Sequence, residues 1–472
     1  MRSRRDQLQA YQFLRRRIVA ALLSGEPDSP EAPMRRIVRT AFAGAMIAVL
    51  VAAGFAVFGV IRKGGATTWQ KTDTIVIEKE TGGIYVWTAP SPGAGRRLHP
   101  MVNHTSALLF LGSGTTKSLS RKSLAGIPRA PQRGIREAPG SVPEPRDLIR
   151  GPWAVCARTR SDTPEVSLLA GTPLPGVPLG PEAGLLVTGS GAPGERWFVV
   201  WKGQRFNVPD RRVLPALGFN DVTPHLVGAA WVSALPQGKD VTFPTIADHG
   251  QPTAEVDGLP TRVGQVFSVT GPGSVQYAVA LGHGLAPSSG RGLASISEGV
   301  ARLMLADPAG VSRTARELSP AAFAVADRVD PPPDFAGYPE RALQPTEPGQ
   351  GVLCTSVSGS AEAASPQAVY AVGQLPGDVQ VVDLRGLDGA KRALADRAYL
   401  RAGSAALVRA HGLNKTRFLI TDVGKKFPIG DDEALQALGL DKAQVAMVPA
   451  QFLDLLPDGP ALSREAGAQT PV

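Results

Sequence analysis

Cysteine and histidine are scarce, two and six among 472 residues. With no CxxC pair and the histidines scattered, thiolate metal sites are excluded, and His99 and His104, five apart, read as ordinary surface imidazoles. A phosphate cradle is also missing. The nearest candidate, Gly112-Ser113-Gly114-Thr115-Thr116-Lys117-Ser118, has Thr116 where a P-loop requires glycine immediately before its lysine. No Gly-x-Ser-x-Gly elbow occurs, so no acyl-transfer triad can be nominated and no catalytic residue is assigned. Broad positive charge is absent too. Lys and Arg exceed Asp and Glu by 50 to 41, but nine arginines fall within residues 1–39, and 64–472 hold 39 basic against 37 acidic residues. A nucleic-acid binder needs many cations on one surface, which this balance does not supply.

What is present begins with Thr40 to Ile61, 22 residues without a charge. At roughly 1.5 Å per residue such a helix crosses a bilayer core. The run carries no polar stripe, unlike a buried soluble helix, and it is too long and too far from the N-terminus for a cleaved signal peptide. No second run of this kind follows, so the reading is a single-pass anchor. Arg35, Arg36 and Arg39 join Arg15, Arg16 and Arg17 on one flank, against Arg62 and Lys63 on the other. The N-terminus is therefore expected in the cytoplasm and about 400 residues outside it. Gly44, Ala48 and Ala52 form a small-residue stripe on the span where another helix could approach.

Before the anchor, Leu8, Tyr11, Leu14, Ile18 and Leu22 follow helical spacing beside three arginines. This basic amphipathic helix is a docking face, either for anionic lipid or for a partner's helix, and Glu26-Pro27-Asp28-Ser29-Pro30 should stop it. Cys156 and Cys354 both lie beyond the anchor, in a compartment where disulfides persist. Each follows a proline-rich stretch, 128–152 or 331–348, in the matching contexts WAVC and GVLC. A disulfide is expected, against the alternative of two buried thiols.

Residues 196–219 align without gaps on 417–440. The alignment pairs Gly203 with Gly424, Phe206 with Phe427, Asp210 with Asp431, Leu217 with Leu438 and Gly218 with Gly439. Extended, it pairs Trp231 with Phe452 and Gly238 with Gly459. These read as two copies of one unit. Each copy is a hairpin turning at Gly203 or Gly424, then a short helix closed by Gly218 or Gly439 in the left-handed position, then a second helix, capped in the first copy by Thr223 with Pro224. Asp431, Asp432 and Glu433 suit a helix first turn. Weaker versions start at Thr74 and Gly264, giving four modules, two per half.

QAYQFLRRRIVAALL (Gln9 to Leu23), the basic-flanked anchor, LHPMVNHTSALLFLG (Leu98 to Gly112), SLSRKSLAGIPRAP (Ser118 to Pro131), GPWAVC and GVLC together resemble the EccB family, a bitopic component of type VII (ESX) secretion systems. The resemblance covers nearly the whole chain. It implies an α+β fold: a single N-terminal transmembrane helix, then an elongated extracytoplasmic domain with a central β-sheet core, a disulfide and four hairpin-helix modules. It implies an inner-membrane complex with the EccC motor ATPase, EccD and EccE, contacts between EccB copies, and the mycosin protease as a further partner. ATP hydrolysis is ascribed to the family, so the resemblance admits ATP although the residues show no cradle for it. This sequence departs from typical members in its Gly-rich Ser288 to Ser297 segment and in a short tail after Pro460.

The expected divisions are 1–39 cytosolic helix and linker, 40–61 span, 62–125 first module, 126–195 core segment with Cys156 and 196–240 second module. They continue as 241–330 third module and linker, 331–411 core segment with Cys354, 412–459 fourth module and 460–472 tail. The expected function is structural: an assembly subunit of the secretion complex in the cell membrane. The alternative is an extracytoplasmic ATPase or cell-wall-acting hydrolase of the same system.

Overall fold

The structure is a computed structural model describing residues 3–25, 33–61, 69–71, 74–89, 95–190, 196–282, 292–347, 351–359, 367–373, 375, 381–385, 394–411 and 415–471. Arg62, Lys63, the expected helix stop at 26–30 and residues 288–291 of the Gly-rich segment lie outside the described residues.

The first helix, Arg4–Ser24, opens with a reciprocal cap in which Ser3 Oγ accepts from the Arg5 amide and Asp6 accepts from the Ser3 amide. It closes on Gly25 at φ 70°, the left-handed position that glycine occupies without a Cβ clash. The second helix runs Pro33–Ile61 and contains one stretch, Val38–Val57, long and apolar enough to cross a membrane. It starts before the uncharged run because Pro33 suits a helix's first position and nothing in Met34–Arg39 breaks the turn.

Beyond these helices a six-stranded sheet forms the centre, in the order 368–372, 352–357, 153–160, 163–170, 397–399, 381–383. Four further sheets share one arrangement. Their first three strands form a meander, and a fourth returns parallel to the first, giving the order third, second, first, fourth. The first strands are Thr74–Glu78, Ala183–Ser190, Val266–Gly271 and Ala405–Ala410. A helix or helical turn links third to fourth strand, because a parallel return needs a crossover. After the next helix the chain comes back alongside the third strand in every case, pairing Leu98 with Arg129, Arg205 with Gln237, Leu293 with Arg328 and Lys426 with Asp458. These four units are called modules 1 to 4 below.

Several expectations change. The sheets of modules 2 and 4 begin before residues 196 and 412, because Ala183–Ser190 and Ala405–Ala410 pair with the following hairpin strand and with the parallel return. Both are largely buried apolar runs, hard to tell from generic core by pattern alone. Thr223 does not cap a helix: His225–Gly228 is a strand, and the helix Ala229–Ala234 starts after Gly228. Parallel pairing with Val187–Ser190 supplies the backbone partners there. The expected helix before Gly218 is two short 3₁₀ turns, Arg211–Val213 and Pro215–Leu217. Its counterpart Asp432–Ala437 is α-helical. Pro215 stands where module 4 has Gln436, and proline has no N–H to continue an α-turn.

Modules 2 and 3 share one apolar core, with Val213, Leu217, Val266 and Leu303 buried together. Modules 1 and 4 share another, around Leu109, Leu407, Phe427 and Leu435. The central sheet packs on both halves through Trp231 and Phe452. The proline-rich stretches cross between halves. The segment before Cys156 bonds to module 4, Ile149 N–H to Ala405 C=O at 2.8 Å. The segment before Cys354 bonds to module 2, Gln344 N–H to Glu182 C=O and Thr346 N–H to Gly184 C=O, both 2.8 Å. Residues after Pro460 fold back: Leu462 pairs with Ile429, and the helix Arg464–Ala468 lies on His104–Leu111.

Candidate functional site

The candidate site is the joint where the two halves meet. Cys156 and Cys354 stand directly opposite each other on neighbouring antiparallel central strands, Cα atoms 4.0 Å apart and sulfurs bonded at 2.06 Å. Both are buried beside Leu169, Val352, Val372 and Tyr399. The bond closes a separation of 198 residues, which the chain-entropy account values at roughly 5 kcal/mol. It sits between the strand pairs 153–160 with 163–170 and 352–357 with 368–372, one pair from each half.

Turn glycines seat modules 2 and 4 on that sheet. Gly203 has φ 71° and Gly424 has φ 75°, so each turn needs a backbone that L side chains rarely adopt. A Cβ on Gly203 would lie 1.9 Å from the Gln367 carbonyl oxygen, and one on Gly424 would lie 2.5 Å from Leu384 Cδ2. The two turns thus dock beside opposite edges of the central sheet. Gly218, φ 100°, lies under the crossing segment, where a Cβ would meet the Leu343 carbonyl oxygen at 2.3 Å. Gly439, φ 72°, has open space beside it and is required by conformation alone.

Buried polar side chains complete the joint. Thr355 Oγ1 donates to Gln367 Oε1 at 2.8 Å, and Gln367 Nε2 donates to the Ala234 carbonyl at 3.2 Å, linking core strand to module 2 helix. Trp231 Nε1 donates to the Val155 carbonyl at 3.1 Å. Arg205 Nη1 donates to the Val232 carbonyl at 2.8 Å, and burial pushes the Arg205 guanidinium pKa down. At the same register in module 4, Lys426 Nζ donates to the Leu453 and Leu456 carbonyls, both 2.8 Å, and pairs with Asp458 at 3.0 Å. Each cation meets carbonyls at the end of its module's second helix: Val232 and Leu453 also accept the amides of Leu235 and Leu456, whereas Leu456 C=O relies on Lys426. Sequence reading missed Gln367, Arg205 and Lys426. The available signal was a cation recurring one residue before the aligned Phe206 and Phe427.

The other sequence candidates lie elsewhere. Gly112 ends the helix His104–Leu111 at φ 80°, and Thr115–Leu119 is a strand parallel to Thr74–Glu78. A phosphate cradle needs strand, loop, then helix N-terminus; here helix precedes strand, and the Arg464 guanidinium covers Gly112. His104 Nε2 lies 2.9 Å from Thr116 Oγ1. His99 is not a surface imidazole but almost fully buried against Phe110. Its pKa falls through burial first, then through the charges of Arg133 and Arg97. The sequence hid this because His99 lies on the apolar face of a strand, between buried Leu98 and Met101. Among the described residues no three His, Cys, Asp or Glu side chains cluster as metal ligands would. Leu8, Tyr11, Leu14, Ile18 and Leu22 are 52–81% exposed on the first helix. Gly44, Ala48 and Ala52 are exposed on the second, with nothing within 4 Å of a Cβ at Gly44.

Known proteins resemble the whole chain. The sequence model of the family described as type VII secretion system ESX-1, transport TM domain B, matches residues 2–470. An ESX-3 secretion system ATPase EccB3 of Mycolicibacterium smegmatis is 29% identical, over 98% of this chain and 89% of its own length. An ESX-5 secretion system ATPase EccB5 of Mycobacterium tuberculosis is 28% identical, over 98% and 92%. A chain of an intact ESX-5 inner membrane complex matches 99% of this chain and 95% of its own, with TM-score 0.69 and 26% identity. A chain of an EccB3 dimer from the ESX-3 core complex matches 84% and 99%, with TM-score 0.66 and 26% identity.

Proposed function

We propose a function from the premise that the chain belongs to the EccB family of the type VII secretion system, the family whose sequence model spans residues 2–470. It serves as a structural and assembly subunit of an ESX inner membrane complex, supporting protein export across the cell membrane. The observation that carries this reading is the likeness, over 99% of the chain, to a component of the intact ESX-5 inner membrane complex. Val38–Val57 is the single-pass anchor. The excess of arginine before it keeps the N-terminus cytoplasmic and exports the rest. The exposed apolar face of the first helix docks on neighbouring subunits, with EccC, EccD and EccE the family's partners on the membrane side. Other EccB copies and the mycosin protease are its partners outside.

Modules 1 to 4 derive from an internal duplication. The shared strand order of their sheets supports it, as does the matching placement of Arg205 with Lys426 and Gly203 with Gly424. A tagged full-length chain isolated from its native membranes should bring down a complex larger than a dimer. Deleting its gene should stop ESX export until the chain is restored. Normal export in the deletion strain contradicts the reading.

A second reading, ATP hydrolysis outside the membrane, is favoured by the names of the relatives. The helix-then-strand geometry around Gly112–Ser118 speaks against it. ATP turnover by the full-length chain that disappears in Lys117→Ala would reverse the ranking.

A further inference from the structure

On module 4, away from the joint, three cations gather around one cavity of about 460 Å³ lined by Arg409, Lys415, Arg417, Asp432, Gln444 and Met447. Arg409 and Arg417 stand directly opposite each other on antiparallel strands, and Met447 lies beside Arg409 on the parallel return. Like charges placed directly opposite destabilise a sheet, so folding alone does not call for this pair. Asp432 satisfies Arg417 by an ion pair. Arg409 is exposed and rests its Nε 3.4 Å from the Met447 thioether. Among the described residues, neither Arg409 nor Lys415 has an ion-pair partner. The module 2 counterpart differs: Gly189 stands opposite Arg196, and Arg211, in place of Asp432, stacks 4.0 Å over Trp197. One copy of the register has become a basin of three cations against one carboxylate, and the other has not.

The geometry points to a binding site on module 4 for a phosphate-bearing ligand, held by Arg409 and Lys415 with Gln444 as a further hydrogen-bonding group. After Asp432 has neutralised Arg417, two positive charges remain, which suits a doubly charged phosphate better than a single carboxylate. Guanidinium donors match phosphate oxygens in pairs, and the ammonium adds a compact charge. The lining holds no aromatic ring on which a base could stack, so the site reads the phosphate and not a nucleoside. Among the described lining residues the one carboxylate, Asp432, is engaged by Arg417 and is not free to activate a water. The inference concerns binding alone and does not depend on the secretion reading.

The test is calorimetric titration of the full-length chain in a zwitterionic detergent with inorganic pyrophosphate. The expected result is saturable binding that weakens at least about tenfold in Arg409→Gln with Lys415→Gln, while Arg302→Gln, an exposed arginine paired with Glu298, leaves it unchanged. Both substitutions fall at exposed positions, and an unchanged unfolding temperature confirms that the fold persists. Competition by glycerol 3-phosphate and by short-chain phosphatidic acid then assigns the source. Equal competition marks a soluble phosphate ligand, and stronger competition by the lipid marks a headgroup. Absence of pyrophosphate binding, or binding indifferent to the double substitution, overturns the proposal.

Discussion

Modules 2 and 4 occupy matching places on either side of the central sheet, yet they hold to it by different chemistry. Module 2 is stitched by hydrogen bonds: Trp231 donates to Val155, and the Gly203 turn lies against the Gln367 backbone. Module 4 is packed chiefly by side chains, with one backbone bond from Ala395 N–H to Leu455 C=O at 3.0 Å: Phe452 fills the place of Trp231 with no polar atom to satisfy, and the Gly424 turn meets Leu384 and Val382. A cation at this position is common to both, but Lys426 is 4% exposed and bonds two carbonyls, whereas Arg205 is half-buried and bonds one. One register of hydrophobics and turns therefore tolerates two solutions at the same joint. What stays fixed is the backbone requirement at the turns and a cation under the second helix.

The sharpest way to break the comparison is alanine at the paired turns. Gly203→Ala adds left-handed strain and a methyl overlapping backbone, and should cost on the order of 3–5 kcal/mol. Gly424→Ala clashes only with the flexible end of Leu384 and should cost about 1–3 kcal/mol, and Gly439→Ala, in open space, about 1 kcal/mol. Denaturant midpoints of the three variants in one detergent give the order directly; equal losses would deny that the two turns dock on different material. Cys156→Ser should remove about 3–5 kcal/mol, and Cys354→Ser the same, because the bond serves both halves. A loss seen with only one cysteine would contradict that symmetry. Lys426→Met strands the Leu456 carbonyl, removes a second bond to Leu453 and breaks the pair with Asp458, and should cost about 2–3 kcal/mol, against about 1 kcal/mol for Arg205→Met.

The smallest effect concerns pH. His99 is held neutral by burial, so its folded pKa lies below the ordinary 6.5. The unfolded chain then binds a proton that the folded chain refuses, and stability falls as pH drops through and below that value. His104 and His225 are lowered in the same direction, also by burial. Thermal unfolding between pH 7.5 and 5.5 should show a small fall in Tm, and His99→Phe should flatten part of it. A rise in Tm on acidification would reverse the sign.

Much of this architecture was legible from residues alone. The anchor, the cysteine pair and the hairpins that start at Arg196 and Arg417 depend on composition, spacing and turn glycines, which are local signals. The strands Ala183–Ser190 and Ala405–Ala410 escaped because a buried run without alternation carries no period of its own. The Thr223 cap failed because parallel pairing to a distant strand outcompeted a local signal. The crossing of the proline-rich stretches had no sequence signature at all: which half Ile149 or Thr346 bonds to is decided by packing across the whole molecule. Gln367 was hidden for the same reason, since its partners Thr355 and Ala234 come from different elements.

Native-state amide hydrogen exchange on the full-length chain tests the interlocked halves most directly. The amides of Ile149 and Thr346, each bonded to a carbonyl of the opposite half, should exchange as slowly as that of Cys354 in the central sheet, opening only with global unfolding. If those two amides exchange orders of magnitude faster while the modules stay protected, the halves are separately stable bodies and the interlocked account is wrong.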